Sequence, residues 1–287
     1  MSAVKLPPLQ YVAPRSLAQA CDLLAADEDA KVLAGGQSLM PLLAIRLSSP
    51  STLIDLAHVP DLVGVDEAGS YVHIRAMTTH QQVITSPIVR EHLPFVAEAG
   101  AHIAHAQIRS RGTLGGSIAH GDGAAEWPLT VLTLDTMVEV ESVRGRRTIE
   151  SDDLFVGPYM TSIAPDEVVT DVWIPKKTEG WSFQEIARRA GDYGLALVGV
   201  STETGPDGTC TAARITVGAA AGTVQRVPAA EDSVVGNALD EHTARRAGEA
   251  ARESLSFISD IHGSSNYRGH LVQTLVTRAL IEAGARR

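Results

Sequence analysis

Glycine and small side chains dominate residues 107–128, which read QIRSRGTLGGSIAHGDGAAEWP. Five glycines occur in this stretch, at Gly112, Gly115, Gly116, Gly121 and Gly123. Glycine lets the backbone turn sharply, and such turns present successive N–H groups to a bound anion. The stretch therefore indicates a loop that could bind a phosphate group.

A second glycine loop lies earlier in the chain, in KVLAGGQSLMPL at residues 31–42. A β-type run precedes Gly35 and Gly36, and an apolar run compatible with a helix follows them. Strand, turn and helix start together form the geometry in which backbone amides hold a phosphate. Each loop alone is typical of a tight turn, and neither contains the GxGxxG or GxxxxGK[ST] fingerprint. As a pair, the loops favour binding of a pyrophosphate.

Other residues suggest chemistry less strongly. His102 and His105 are spaced i,i+3 on a predicted helix, but no third metal ligand lies nearby at a recognised spacing, so packing or hydrogen bonding is favoured. Ser38 resembles the nucleophile of a GxSxG turn, yet Met40 replaces the last glycine and no histidine–acid pair is identifiable, so a hydrolase is not favoured. The adjacent Asp152 and Asp153 are predicted to cap a helix.

The N-terminal part of the chain alternates helical and strand patterns. Ser16 and Gln19 predict a capping box before a short amphipathic helix, and residues 31–34 and 52–56 predict strands of a βαβ-like unit. From residue 62, the runs VGV, DEAG and YVHIRA predict a hairpin with its turn at DEAG. Thr79 is predicted to cap a helix that begins HQQVI, and residues 93–106 are predicted to be helical.

Beyond Pro128 the pattern changes to strands. The runs TVLTLD, MVEVESV and RRTIE and residues 168–174 predict strands, with a turn at Arg144 and Gly145. The polar residues 176–180 indicate a domain boundary. SFQEIARR, LALVGVST and CTAARITVGAA then predict three strands, and residues 240–257 and 266–283 predict two helices of a smaller domain.

Length, charge and cysteine content limit the possible functions. A chain of 287 residues can form two domains, and its net charge of −10 without a basic run disfavours nucleic acid and anionic membranes as partners. The N-terminus lacks the apolar core of a signal peptide and no apolar run is long enough to span a bilayer, so a cytoplasmic protein is predicted. Cys21 and Cys210 are too few for an iron–sulfur cluster, which usually needs four cysteines.

Four segments in order carry a family resemblance: AGGQSLMPLLAIRL, IRSRGTLGGSIAHGDGAAEWP, ARRAGDYGLALVGV and NYRGHLVQTLVTRAL. They resemble the FAD-binding medium subunits of molybdenum hydroxylases, a family that includes the carbon monoxide dehydrogenase medium chain and the flavin domain of xanthine dehydrogenase. The resemblance implies an α+β fold. A two-subdomain FAD-binding domain of the PCMH type would span 1–176, with subdomains of about 1–57 and 58–176. A C-terminal α+β domain with a three-stranded antiparallel sheet and helices would span 177–287.

The resemblance also implies the residues that bind FAD. Tyr193 corresponds to an aromatic residue that lies against the flavin ring, although the sequence alone favours packing at the start of a strand. Glu126 corresponds to an acidic residue that bonds sugar hydroxyls, and Ile103 and Val169 to apolar residues that line the cofactor. The segments that wrap the pyrophosphate are Val32, Leu33, Ala34, Gly35, Gly36, Gln37, Ser38 and Leu39, and Thr113, Leu114, Gly115, Gly116 and Ser117.

Two positions depart from the family pattern. Gln184 stands where some relatives have lysine, and Ser117 stands where asparagine or aspartate is common. Contact between these two side chains and FAD is therefore left open.

By this resemblance the chain is an oxidoreductase subunit that carries FAD. It would accept electrons from [2Fe-2S] clusters in a small iron–sulfur subunit, which a large subunit with a molybdenum cofactor reduces, and pass them to an external acceptor. The heteromer would be a dimer of heterotrimers, and neither the organic substrate nor the acceptor follows from this chain. Two alternatives remain, a self-contained flavin-dependent oxidase of the same fold superfamily and a non-catalytic FAD or nucleotide-binding module.

Overall fold

A computed structural model of the protein describes residues 6–286. The first subdomain is a parallel sheet in the order β1-β3-β2, with strands Gln10–Val12 (β1), Lys31–Leu33 (β2) and Thr52–Asp55 (β3). Helices α1 (Leu17–Ala26) and α2 (Leu39–Ala44) connect the strands, and a 3-10 turn at Leu56–His58 follows β3. The predicted βαβ unit is confirmed. Strand β1 was not predicted, because only its pairing with β3 makes these three residues a strand.

The cap of α1 forms only in part as predicted. The Ser16 side chain accepts from the Gln19 N–H at 3.2 Å, whereas the Gln19 side chain accepts from Arg15 N–H instead of Ser16 N–H. The apolar face of α1 buries Ala20, Cys21 and Leu24. The predicted amphipathic helix is therefore confirmed, but without a reciprocal capping box.

The second subdomain contains an antiparallel sheet in the order β4-β5-β10-β6-β7. In β5 and β6, buried residues alternate with more exposed ones, which leaves one face for the helices. The strands are β4 (Val65–Ala68), β5 (Tyr71–Arg75), β6 (Met137–Ser142), β7 (Gly145–Glu150) and β10 (Val168–Pro175). The helices are α3 (His80–Thr85), α4 (Pro87–His92), α5 (Pro94–His102), α6 (Ala106–Arg109), α7 (Leu114–His120) and α8 (Glu126–Thr133). The predicted cap at Thr79 is confirmed, and Thr79 forms it as a capping box with Gln82.

Two predictions of turns and helix ends in this subdomain are wrong. The DEAG run is not the turn of the hairpin: β4 includes Asp66 and Glu67, whose carboxylates pair with Arg75 and Lys176, and the chain turns after it. The helix predicted over residues 93–106 is broken after His102, because Ala104 adopts φ +38°. As a result, His102 and His105 do not share a helix.

The run TVLTLD was predicted as a strand and is mostly helix α8. Every residue from 127 to 133 in this helix is buried. A helix buried on all sides has no amphipathic period, so a short apolar run cannot be told from a strand by its pattern. Asp152 and Asp153 likewise cap no following helix. They lie in a 3-10 turn before strands β8 (Phe155–Gly157) and β9 (Met160–Thr161), and Asp152 pairs with Arg214 and Arg226.

The C-terminal part is an antiparallel sheet in the order β11-β12-β13-β14 covered by helices. Strands β11 (Trp181–Ala187), β12 (Gly194–Thr204) and β13 (Cys210–Gly218) are the three that were predicted, and β14 (Gln225–Arg226) adds a short fourth. Helices α9 (Pro228–Val234), α10 (Glu241–Ser254) and α11 (Ser265–Ala285) complete this part. No helix within residues 6–286 is long and apolar enough to cross a membrane.

Candidate functional site

The structure brings the two glycine loops into direct contact. A Cβ atom on Gly35 would lie 2.6 Å from the Gly112 Cα and would also meet the Arg111 carbonyl oxygen. A Cβ atom on Gly116 would lie 3.3 Å from the Ala34 Cβ. Only glycine at position 35 allows the loops to approach this closely, because any side chain there meets backbone atoms. The pairing that the sequence suggested is therefore a physical contact.

The two loops differ in the backbone N–H groups that they offer. In the second loop, Leu114 N–H donates to Thr78 O, Gly115 N–H to Ala76 O, and Gly116 N–H to the Thr113 side chain, at 2.8–3.2 Å. The prediction that this loop presents successive N–H groups to an anion is wrong for these three residues. In the first loop, the N–H groups of residues 35–38 have no hydrogen-bond acceptor among residues 6–286. The first loop thus supplies the free amides.

Buried His80 is hydrogen-bonded to the second loop. Its backbone N–H donates to Gly112 O at 2.9 Å, and its ring Nδ1 accepts from the Trp127 indole N–H at 2.7 Å. Burial, together with the Arg109 charge, lowers the pKa of His80 to about 4. The imidazole is therefore neutral at physiological pH, as its role as an acceptor requires. No sequence motif marked His80, although it directly follows the predicted cap Thr79.

Glu126 is the first residue of α8 and lies beside other carboxyls. Burial, and then the negative charges of Glu185 and Asp122, raise its pKa to about 8. Asp122 is itself buried, and its Oδ1 accepts from the Ala124 N–H at 2.9 Å. The residue predicted to bond sugar hydroxyls is therefore able to carry a proton at neutral pH.

Tyr193, directly before β12, is 68% exposed. Desolvation by neighbouring atoms, and then the Asp122 charge, raise the pKa of Tyr193 to about 12, so the phenol keeps its proton. The interpretation of Tyr193 as a packed core aromatic is wrong, because a core ring would be enclosed. The exposed ring leaves a face for a ligand.

A cleft of about 630 Å³ lies between the α5–α6 turn and the β11–β12 loop. Its walls include Ala104, His105, Arg109, Glu185 and Gly191. A Cβ atom on Gly191 would lie 2.6 Å from the His105 Nδ1, so the two sides approach closely there. No motif in the sequence marked Glu185, since an isolated carboxylate in a strand belongs to no recognised pattern.

His102 packs as predicted, on the Phe183 ring at 5.1 Å between ring centroids, with its Nδ1 3.5 Å from Glu185 Oε2. No group of three or more His, Cys, Asp or Glu side chains suited to a metal ion occurs among residues 6–286.

Four other predicted site residues are Ile103, Val169, Gln184 and Ser117, and the structure places them differently. Ile103 and Val169 are buried, and Ile103 adjoins the cleft residue Ala104. Gln184 points to the opposite face of β11 from Glu185, where its Nε2 donates to Glu282 Oε2 at 2.6 Å. The structure therefore does not bring the Gln184 side chain to the glycine loops. Ser117 stays beside them, with its backbone N–H donating to Thr113 O at 3.1 Å.

Two family models together cover nearly the whole chain. The FAD binding domain in molybdopterin dehydrogenase matches residues 7–177, and the CO dehydrogenase flavoprotein C-terminal domain matches residues 181–283. The chain is an FAD-binding medium subunit of the molybdenum hydroxylase family. Members of this family are oxidoreductase subunits, and FAD is the cofactor of the matched domain.

Relatives of this medium subunit match it end to end. The nicotine 6-hydroxylase medium subunit of Paenarthrobacter nicotinovorans is 58% identical over 99% of this chain and 100% of its own length. The carbon monoxide dehydrogenase medium chain of Hydrogenophaga pseudoflava is 35% identical over 98% of both. Among solved structures, quinoline 2-oxidoreductase from Pseudomonas putida 86 has a chain 40% identical, covering 98% of each chain, with a TM-score of 0.93. The predicted α+β fold is confirmed.

The residues of this medium subunit fit FAD on three counts. Free amides at residues 35–38 suit a pyrophosphate, the glycine contact leaves the backbone open to close approach, and the exposed Tyr193 ring suits stacking. The cleft lined by Gly191, two residues before Tyr193, contains two buried polar atoms without hydrogen-bond partners within residues 6–286, Glu185 Oε2 and Arg109 Nε. These features lie on both parts of the chain, since the loops belong to the N-terminal part and Tyr193 to the C-terminal one.

Proposed function

We propose that this chain carries electrons through FAD between an iron–sulfur subunit and an external acceptor. The observation that supports this most is the contact between the two glycine loops, with free amides at residues 35–38. Both cysteines, Cys21 and Cys210, are buried in separate parts of the chain and cannot together ligate a cluster, so the proposal assigns the iron–sulfur clusters to another subunit. Bound FAD supplies the one- and two-electron chemistry, and the protein holds and tunes it.

Residues of this chain would bind the cofactor in four ways. Residues 32–39 and 113–117 hold the pyrophosphate, the first loop by its amides and the second by shape. Glu126 bonds sugar hydroxyls, Ile103 and Val169 line the apolar wall, and the Tyr193 ring covers the flavin and excludes water. Gln184 is left out of this set because Glu282 and Ser182 hold its amide group.

The partners would be a small subunit with [2Fe-2S] clusters and a large subunit with a molybdenum cofactor, in a dimer of heterotrimers. The domain division would be 1–176 and 177–287. Two well-matched relatives are named for nicotine and quinoline, both of which contain nitrogen heteroaromatic rings. We infer that the complex hydroxylates a nitrogen heteroaromatic compound, whose binding site lies in the large subunit.

Anaerobic reduction tests this function. The FAD-loaded chain is mixed with nicotine or quinoline alone and then together with its small and large subunits, and flavin absorbance is followed. We expect bleaching only in the complete complex, and bleaching by dithionite in both samples as the control. Rapid bleaching of the single chain by an organic substrate would instead indicate a self-contained oxidase. A complex that hydroxylates its substrate while its FAD never changes redox state would indicate a binding module.

A further inference from the structure

One carboxyl oxygen of Glu185, Oε2, is buried without a hydrogen-bond partner among residues 6–286. The Glu185 side chain is 5% exposed. The Nδ1 of His102 lies 3.5 Å away, too far for a good hydrogen bond. Burying an unpaired carboxyl is costly, so most buried polar groups have partners and an exception needs an explanation. A ligand that completes its hydrogen bonds is such an explanation.

Glu185 lies near the backbone that carries Tyr193, whose ring is proposed to cover the flavin. It lines the cleft beside Gly191, and its Cγ is 3.4 Å from the position of a Cβ on Gly194. Gly194 directly follows Tyr193, so the carboxyl lies next to the backbone that carries the exposed ring. The position of a Cβ on Gly194 is taken by the Leu197 side chain, so the absence of a side chain on Gly194 lets Leu197 pack beside Glu185. On the opposite side of the cleft, Ala104 follows Ile103, which is proposed to line the cofactor.

We propose that Glu185 contacts the ring system of the bound flavin and sets the charge beside it. This inference rests on the proposed function, since it requires that FAD occupy the cleft next to Tyr193. It assigns the unpaired carboxyl oxygen to a polar atom of the flavin ring. Glu185 thereby becomes a residue that tunes the potential of the cofactor.

The surroundings of Glu185 bring the pKa of its carboxyl group close to neutral pH. Helix α5 contributes Glu98 and His102, α6 contributes Arg109, and α8 contributes Glu126. The loops contribute the basic side chains His105, Arg188 and Arg189. Burial raises the pKa of Glu185 to about 7, and burial lowers the pKa of His102 although the Glu98 charge opposes this. At neutral pH, Glu185 is therefore present both as carboxylic acid and as carboxylate, and it faces an uncharged imidazole.

Each protonation state of Glu185 would affect the flavin differently. A neutral carboxylic acid in an apolar site can donate a hydrogen bond, which stabilises the negative charge gained on reduction. An ionised carboxylate repels that charge and makes reduction harder. Reduction therefore raises the pKa of Glu185, so that near neutral pH an extra proton is taken up from solvent with the electrons.

The test compares the wild-type complex with its Glu185→Gln variant. Flavin midpoint potentials are measured between pH 5.5 and 8.5, with Glu241→Gln, an exposed residue on α10, as the matched control. We expect wild type and Glu185→Gln to coincide at the acidic end, where both side chains are neutral. Above pH 7 the variant has the higher potential, and the steeper pH dependence of the wild type is lost. Glu241→Gln follows the wild type throughout.

A second readout needs no cofactor. In the FAD-free chain, the difference between the infrared spectra of wild type and Glu185→Gln should contain the carbonyl stretch of one protonated carboxylic acid, which disappears as pH rises through about 7. The stretch of protonated Glu126, whose pKa is about 8, is common to both proteins and cancels. A wild-type complex that contains no FAD would refute the proposed function and, with it, the flavin contact. FAD-loaded wild type and Glu185→Gln with parallel potential curves would refute only the role of Glu185.

Discussion

Replacing Gly35 with alanine tests whether the contact between the two loops forms the cofactor site. The added Cβ would lie 2.6 Å from the Gly112 Cα, whereas unbonded carbons rest at about 3.5–4.0 Å. The loops must therefore separate by about 1 Å, since the atoms in the way are backbone atoms. The free amides of residues 35–38 move with the first loop and lose their position relative to the second.

We expect Gly35→Ala to destabilise the site by the free energy typical of overpacking, about 1–3 kcal/mol. If all of it falls on the bound state, the dissociation constant for FAD rises by about 5- to 150-fold. The assay is FAD released per chain on denaturation, after the complex has been passed through a desalting column. Gly222→Ala is the matched control, because a Cβ there would meet only the Pro158 Cγ at 3.6 Å. Full FAD occupancy in Gly35→Ala would refute the role of the loop contact.

Three further predictions follow from single side chains. Tyr193→Ala should leave the fold intact and change flavin absorption and reoxidation rate, and unchanged spectra and rates would remove the ring from the site. As pH falls from 6.5 to about 4, protonation of His80 should lower the free energy of unfolding by about 3 kcal/mol. Urea unfolding of wild type and His80→Gln measures this, and the variant should not show the loss. In the same assay, Arg268→Met should lower the free energy of unfolding by about 2–4 kcal/mol, because buried Arg268 donates hydrogen bonds to the Leu195 and Ala219 carbonyls. An unchanged free energy of unfolding would contradict this.

The sign of the His80 effect follows from the direction of its pKa shift. A folded-state pKa below the unfolded value of 6.5 means that the unfolded chain binds the proton first. The stability is therefore complete above pH 6.5 and is lost as the pH falls toward 4. Because His80 bonds both Trp127 and the Gly112 carbonyl, FAD binding should weaken over the same range.

Local patterns in the sequence were sufficient for much of the fold. A short run rich in β-branched residues predicted the strand at 168–174, and the cap at Thr79 predicted the start of α3, because both depend on neighbours within a few residues. Where a helix was buried on all sides, the pattern failed. Helix α8 shows no polar face, so its apolar residues were taken for a strand, and only packing on all sides makes it a helix.

For the site, the sequence by itself determined which residues form the glycine loops and which family they belong to. It could not show that Gly35 touches Gly112, nor that the amides of residues 114–116 turn inward while those of residues 35–38 stay free. Both depend on where Ala76, Thr78 and the second loop come to lie, which is a long-range property of the fold. The same holds for Glu185. Its Oε2 lacks a hydrogen-bond partner in the described part of the chain because tertiary packing buries the side chain beside His102.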